Sequence, residues 1–217
     1  MHSNETIHSD ASHSDTSIVL ASMSPRRRRM FEEARIPFEV IPPDIDETML
    51  DGETPEEFAV RAAGDKAITV ATRLQQTGRR PWIVAADTIV VLDGNVLMKP
   101  KNSQDALRML KTLSGVTHRV ITGWAVGRHN DRFIADHAQT DVTFHDLSPQ
   151  QIDAYVATKE GMDKAGAYAI QGIGAFLVKA IRGNYLNVVG LPLSLVIRDL
   201  LNVGALPCYP LPESTLC

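Results

Sequence analysis

An aspartate stands inside an otherwise apolar run, Ile83-Val84-Ala85-Ala86-Asp87-Thr88-Ile89-Val90-Val91-Leu92. Aspartate is depleted from strands, and a buried carboxylate is costly unless it is paired or bound to a metal. Asp87 is therefore a candidate functional group; the alternative is a structural carboxylate bonded to loop amides. Upstream, Ser22-Met23-Ser24-Pro25-Arg26-Arg27 joins a short apolar segment to a helix start. A helix N-terminus leaves backbone N–H groups unpaired and carries partial positive charge. Arginines in that first turn are unfavourable unless an anion shares the site, and polyphosphate suits both the N–H groups and the guanidinium fork. A solvated basic turn, continued by Arg28 and Arg29, is the competing reading.

Three further segments add to this chemistry. Asp44-Ile45-Asp46-Glu47 follows Pro42-Pro43, and carboxylates beside a phosphate site suggest a hard divalent cation such as Mg²⁺ or Mn²⁺, with Glu47 as its ligand. Taken alone, the segment reads equally as a solvated acidic loop. Lys66, on an amphipathic stretch, and Lys99, just before Pro100, are cations that could neutralise phosphate charge, although each alone reads as a surface lysine. Finally, Asp163-Lys164-Ala165-Gly166-Ala167-Tyr168-Ala169-Ile170-Gln171-Gly172 is punctuated by glycine. Such a loop lets backbone approach a ligand closely, and the Gln171 amide offers both a donor and an acceptor to a base edge. A plain connecting loop is the alternative.

The elements that must position these groups are legible from periodicity and punctuation. Ile18 to Ala21 predicts a short strand, and Ser24-Pro25 caps a helix to about Ala34. Phe38 to Ile41 predicts a second strand. Thr54-Pro55-Glu56-Glu57 has the pattern of a capping box and opens a helix to about Leu74, with Phe58, Ala62, Ala63, Ala67, Val70 and Leu74 inward. Trp82 to Leu92 predicts a long strand turned back at Asp93-Gly94-Asn95. Ser103 to Leu113 predicts a helix, then Arg119 to Gly127 and Arg132 to Phe144 a pair of strands. Ser148-Pro149 opens a fourth helix; Gly174 to Ile181 predicts a strand and Leu193 to Leu201 a last helix. Strands mixed with helices in this order indicate an α/β or α+β fold.

Composition narrows the class. The chain has 217 residues, 44% hydrophobic and 22% charged, with a formal net charge of -4. That balance argues against a general nucleic-acid binder, which needs a basic footprint. No apolar run approaches the ~20 residues of a membrane span, so neither a membrane nor a nucleic acid is an expected partner. Residues Met1 to Ser17 are polar, repeat His8-Ser9-Asp10 as His13-Ser14-Asp15, and predict a disordered extension without a secretory core. The histidines there could bind metal, but nothing in the segment would order them. Cys208 and Cys217 both lie in a proline-rich tail from about Ala205, so no disulfide framework is expected and a reducing cytoplasm fits.

Taken in order, Leu20-Ala21-Ser22 to Arg27, Asp46-Glu47, Lys66-Ala67, Ala86-Asp87-Thr88, Lys99-Pro100, Ser114-Gly115, Thr122, Asp163 to Gly172 and Gly190-Leu191-Pro192-Leu193 resemble the Maf family from about Ile18 to Leu201. One departure is Met98, where many members carry glycine before Lys-Pro. The resemblance implies a domain over 18–204 with a long mixed sheet flanked by helices, two lobes and a cleft, similar to inosine-triphosphate pyrophosphatases, and often dimeric. It further implies a metal-dependent pyrophosphatase acting on a nucleoside triphosphate. Ala86-Asp87-Thr88 and Tyr168-Ala169-Ile170-Gln171-Gly172 resemble the dTTP/UTP branch rather than the branch that cleaves 7-methyl-GTP. By that similarity Asp87 accepts a proton, and Arg26, Thr88 and Gln171 tune specificity. A nucleotide-binding regulator of cell division with little turnover is the rival from another class.

Overall fold

The computed structural model describes residues 17–212. The polar leader through Thr16, with its three histidines, and Cys217 lie outside the described residues. Within them, β-branched and apolar runs form seven strands: β1 (Ile18–Ala21), β2 (Glu39–Val40), β3 (Trp82–Leu92), β4 (Asn95–Leu97), β5 (Thr117–Gly127), β6 (Ile134–Phe144) and β7 (Val178–Arg182). The helices are α1 (Pro25–Glu33), α2 (Pro55–Gln75), α3 (Ser103–Leu113), α4 (Pro149–Ala157), α5 (Tyr185–Val189) and α6 (Leu193–Asn202). Side-chain oxygens of Ser24, Thr54 and Ser148 cap α1, α2 and α4, the latter two through complete capping boxes, and each helix has proline in its first turn.

One mixed sheet runs β2-β1-β3-β5-β6-β7, with β4 folded back on β3. β1 is parallel to β3 and pairs it from Trp82 to Ala85, whereas β4 is antiparallel and pairs it from Val90 to Leu92. Because β5 holds the other edge of β3 from Ile83 to Val91, β1 and β4 must share one edge. Between them, Ala86 to Ile89 face a gap in the sheet. That gap is where the aspartate of β3 falls.

Alternate residues of β3 face opposite sides. Ile83, Ala85, Ile89 and Val91 pack beneath α2, whose inward face is rich in alanine (Ala59, Ala62, Ala63, Ala67 and Ala71) beside Phe58, Val70 and Leu74. On the other face, Trp82, Val84, Ala86 and Trp124 pack with α1 and α6, and Val90 and Val120 with α3 and α4. These two cores share one face, and the paired Thr88 and Thr122 stand between them in register. The two lobes thus meet at a polar pair.

One expectation needs correction, and two features were not foreseen. The segment predicted as a strand from Gly174 begins as a 3₁₀ turn, Gly172–Leu177, and only Val178–Arg182 is extended. The backbone of Ile173 and Gly174 is held by a side chain of the preceding loop, which overrides the extended propensity of the sequence. The short helix α5 was not foreseen, because its five residues are too few to show a period. Beyond α6 the described chain is irregular and packs back on the domain: Ala205 and Leu206 are buried in the α1/α6 core, and Tyr209 Oη donates to the Ala34 carbonyl.

Candidate active site

The gap opens into a cleft of about 390 Å³ lined by Ser22, Arg26, Arg27, Glu47, Lys66, Asp87, Thr88, Lys99 and Gln171 among others. All of the candidate residues therefore converge on one cavity. They reach it from both faces of the sheet.

From the α2 face comes a carboxylate–ammonium cluster. Asp87 pairs in register with Gly123, where an added Cβ would lie 2.2 Å from the Ala59 carbonyl oxygen. The glycine lets the α2 backbone lie against the sheet beside the aspartate. Two turns on, buried Lys66 places Nζ 2.6 Å from Asp87 Oδ1 and 2.7 Å from Glu47 Oε1. Lys99 Nζ stands 3.7 Å from Glu47 Oε2. Burial pushes the Glu47 carboxyl up, but the Lys66 hydrogen bond and the charges of Lys66, Lys99 and Arg27 outweigh it, so it is held below its usual value. Of the acidic loop only Glu47 turns inward: Asp44 is exposed and Asp46 accepts from Thr48 Oγ1 at 2.7 Å.

From the opposite face comes an arginine wall. A turn of 100° per residue splits the run of four arginines. Arg28 and Arg29 point away, each pairing with a glutamate four residues on. Arg27 is buried; its Nε donates to the Gly190 carbonyl at 2.7 Å, Nη1 to Ser22 Oγ at 3.4 Å and Nη2 to Thr88 Oγ1 at 3.0 Å. Its burial lowers the guanidinium pKa, and the Asp87 charge acts against that. Arg26 donates from Nε to the Val189 carbonyl at 3.3 Å and lies 4.0 Å from Asp163. Thr122 Oγ1 donates to the Asn187 carbonyl at 3.0 Å and lies 2.9 Å from Thr88 Oγ1, which also reaches the Gly190 carbonyl at 3.3 Å. Thr88 is thus fixed between Arg27 and Thr122, and aims the guanidinium.

Gln171 sits exposed on the lip of the cleft, and its side chain has no hydrogen-bond partner among the described residues. Tyr168 lines the same lip and its Oη meets His118 Nε2 at 2.8 Å. The sequence reading did not single out Asp163, Lys164, Tyr168 or the Gly190 carbonyl as site groups, though all line the cleft. Asp163 and Lys164 were visible beside Gln171. The carbonyl of Gly190 carries no side-chain signal at all.

No cluster of three or more metal-ligating side chains occurs among the described residues. Glu47 nevertheless fits a divalent cation. Its carboxylate is an oxygen donor on the cleft held in its charged form by neighbouring cations, and beside it Asp87 Oδ2 is a buried acceptor with no partner among the described residues. A hard cation of this kind takes one or two carboxylates and fills its other positions with water and phosphate oxygens.

The family described as Maf-like protein matches residues 17–203. The chain belongs to the Maf family. Among its Maf relatives, a protein of Geobacter sulfurreducens named dTTP/UTP pyrophosphatase is 51% identical over 190 residues, covering 87% of this chain and 97% of that one. A dTTP/UTP pyrophosphatase of Clostridioides difficile is 46% identical over 178 residues, covering 82% and 90%. A solved structure of the Staphylococcus aureus Ham1 protein overlays this Maf chain with a TM-score of 0.41 at 12% identity, over 87% of this chain and 96% of that one.

Proposed function

We propose that this protein hydrolyses dTTP and UTP to the nucleoside monophosphate and pyrophosphate. The carrying observation is the meeting, at one gap in the sheet, of the Glu47–Lys66–Asp87 cluster with the Arg26–Arg27–Thr88 wall. Carboxylates gathered where a polyanion binds are unfavourable unless they perform chemistry or hold a cation. The names of the relatives support the substrate class.

In this reading, water attacks the α-phosphorus, the bond from that phosphorus to the bridging oxygen breaks, and pyrophosphate leaves. Asp87 takes the proton from water at its unpartnered Oδ2, within hydrogen-bond reach. Lys66 holds Asp87 in place and, with Lys99, neutralises phosphate charge. Arg26 and Arg27 face the same phosphates from the other wall, with Ser22 and Thr88 orienting Arg27. Glu47 would hold a divalent cation, Mg²⁺ or Mn²⁺, which when bound supplies further charge neutralisation. Gln171 would read the imide edge of uracil or thymine, as an amide can both donate and accept.

No described helix is long and apolar enough to cross a membrane. We place the enzyme in the cytoplasm, with nucleotide as its partner and a second copy of the chain as a candidate one. Pyrophosphate release from dTTP and UTP in Mg²⁺ or Mn²⁺, compared with ATP, GTP and 7-methyl-GTP, tests the function. Preference for 7-methyl-GTP would overturn the branch, and absence of turnover on every triphosphate would overturn the enzyme.

A further inference from the structure

Gln171 projects from a narrow loop whose two arms touch. An added Cβ at Gly174 would lie 2.3 Å from the Ala169 carbonyl oxygen and 2.7 Å from Tyr155 Oη. Gln171 to Ile173 therefore form the exposed tip of a closed neck, while Ile170 before them packs against the α1/α6 core. The neck is fastened by two side chains from α4 and the turn beyond it. Tyr155 Oη accepts from the Ala169 N–H at 3.1 Å. Glu160 takes the returning arm with both carboxylate oxygens: Oε1 accepts from the Ile173 N–H at 2.9 Å and Oε2 from the Gly174 N–H at 2.8 Å. Gly172 has φ +70°, and a Cβ there would lie 2.3 Å from Glu160 Oε1. Glycine at 172 and a carboxylate at 160 are thus matched to each other. The Glu160 backbone carbonyl also accepts from Lys164 Nζ, which lines the cleft.

Because the Gln171 side chain is exposed and hydrogen-bonds to none of the described residues, the loop backbone sets the position from which its amide can reach the base. We propose that Glu160 is a specificity-positioning residue, whose carboxylate fixes the loop from which Gln171 meets the base. The proposal rests on the reading of Gln171 as the base-contacting residue. Glutamine at 160 could not replace the carboxylate. It keeps one acceptor oxygen and turns an NH₂ donor toward an N–H donor, so one arm of the clamp would open.

The test measures kcat/KM for UTP and GTP in the full chain, in Glu160→Gln, in Gln171→Ala and in the double variant. Gln171→Ala is expected to narrow the UTP-to-GTP ratio about tenfold or more, as lost edge hydrogen bonds do. Glu160→Gln is expected to narrow it at least about threefold through KM for UTP, as loss of binding shared by ground and transition states does. GTP kinetics should stay nearly unchanged. The double variant should be no less selective than Gln171→Ala alone, since both act through one amide. A ratio unchanged in Glu160→Gln while Gln171→Ala narrows it, or singles that multiply in the double, would overturn the role of Glu160 alone. A ratio unchanged in Gln171→Ala would overturn the base reading and this inference with it. Should Glu160→Gln unfold at the assay temperature, Tyr155→Phe keeps the ring, removes the acceptor for Ala169, and is read by the same ratios.

Discussion

Asp87 and Thr88 are neighbours in sequence and opposites in space, one facing α2 and the other the arginine wall. Their adjacency on β3 brings the two halves of the site together. Asp87→Asn keeps the shape but removes the proton acceptor, so kcat for UTP should fall at least about 10²-fold with nucleotide affinity largely retained. Turnover within a factor of about ten of the parent protein, against that expectation, would remove Asp87 from the role of base. His118 offers a test of stability at the same scale. It is buried against Phe144 and Tyr168, and burial pushes its pKa down to about 4. The unfolded chain binds this proton near pH 6.5 and the folded chain resists it. The stabilisation is therefore complete above pH 6.5 and is lost progressively as pH falls toward 4, by about 3 kcal/mol at 1.36 kcal/mol per pKa unit. In His118→Gln, which retains a partner for the Tyr168 hydroxyl, the melting temperature should fall less steeply over that interval. Identical slopes would show that other groups govern acid stability.

Among the elements, α2 and β5 determine how near Lys66 comes to Asp87. The α2 backbone can lie against β5 because position 123 has no side chain, and its alanine-rich face continues that approach. Gly123→Ala must push the helix off by the width of a methyl group, a strain of about 1–3 kcal/mol. Melting temperature and kcat should fall together, the second because the Lys66–Asp87 contact is stretched. Full kcat in a destabilised Gly123→Ala protein would show that helix placement does not tune the site. Much of the element pattern was readable beforehand. Ser24-Pro25, Thr54-Pro55-Glu56-Glu57 and Ser148-Pro149-Gln150-Gln151 announce helix starts because capping is local chemistry between near neighbours. The loop from Gly172 to Leu177 misled for the converse reason, since the Glu160 carboxylate that shapes it lies a dozen residues upstream.

For the whole molecule, the tail shows where local reading gives out. Ala205-Leu206-Pro207 lacks a helix or strand period, and a domain ending at residue 204 follows naturally from that. In the fold Leu206 is 4% exposed and belongs to the α1/α6 core. A chain ending at Gly204 should lose about 2–3 kcal/mol with that leucine, lowering the melting temperature by about 5–10 °C. A chain ending after Leu206 should recover most of the loss; equal melting temperatures for the two truncations would show that the buried contact contributes nothing. The sequence by itself determined the residue types of the site, the order of its segments, the helix starts and the family, because each of these is written in near-neighbour chemistry or in linear order. It also marked Asp87 as anomalous, since a carboxylate in an apolar strand calls for a partner. Only the tertiary structure decided that Lys66 and Glu47 are near that carboxylate, that Glu47 rather than Asp44 or Asp46 turns inward, and that Arg27 is bound into the wall while Arg28 and Arg29 face away. These outcomes depend on which edge of β3 is left open and on how closely α2 approaches it, and both follow from contacts between residues far apart in the chain.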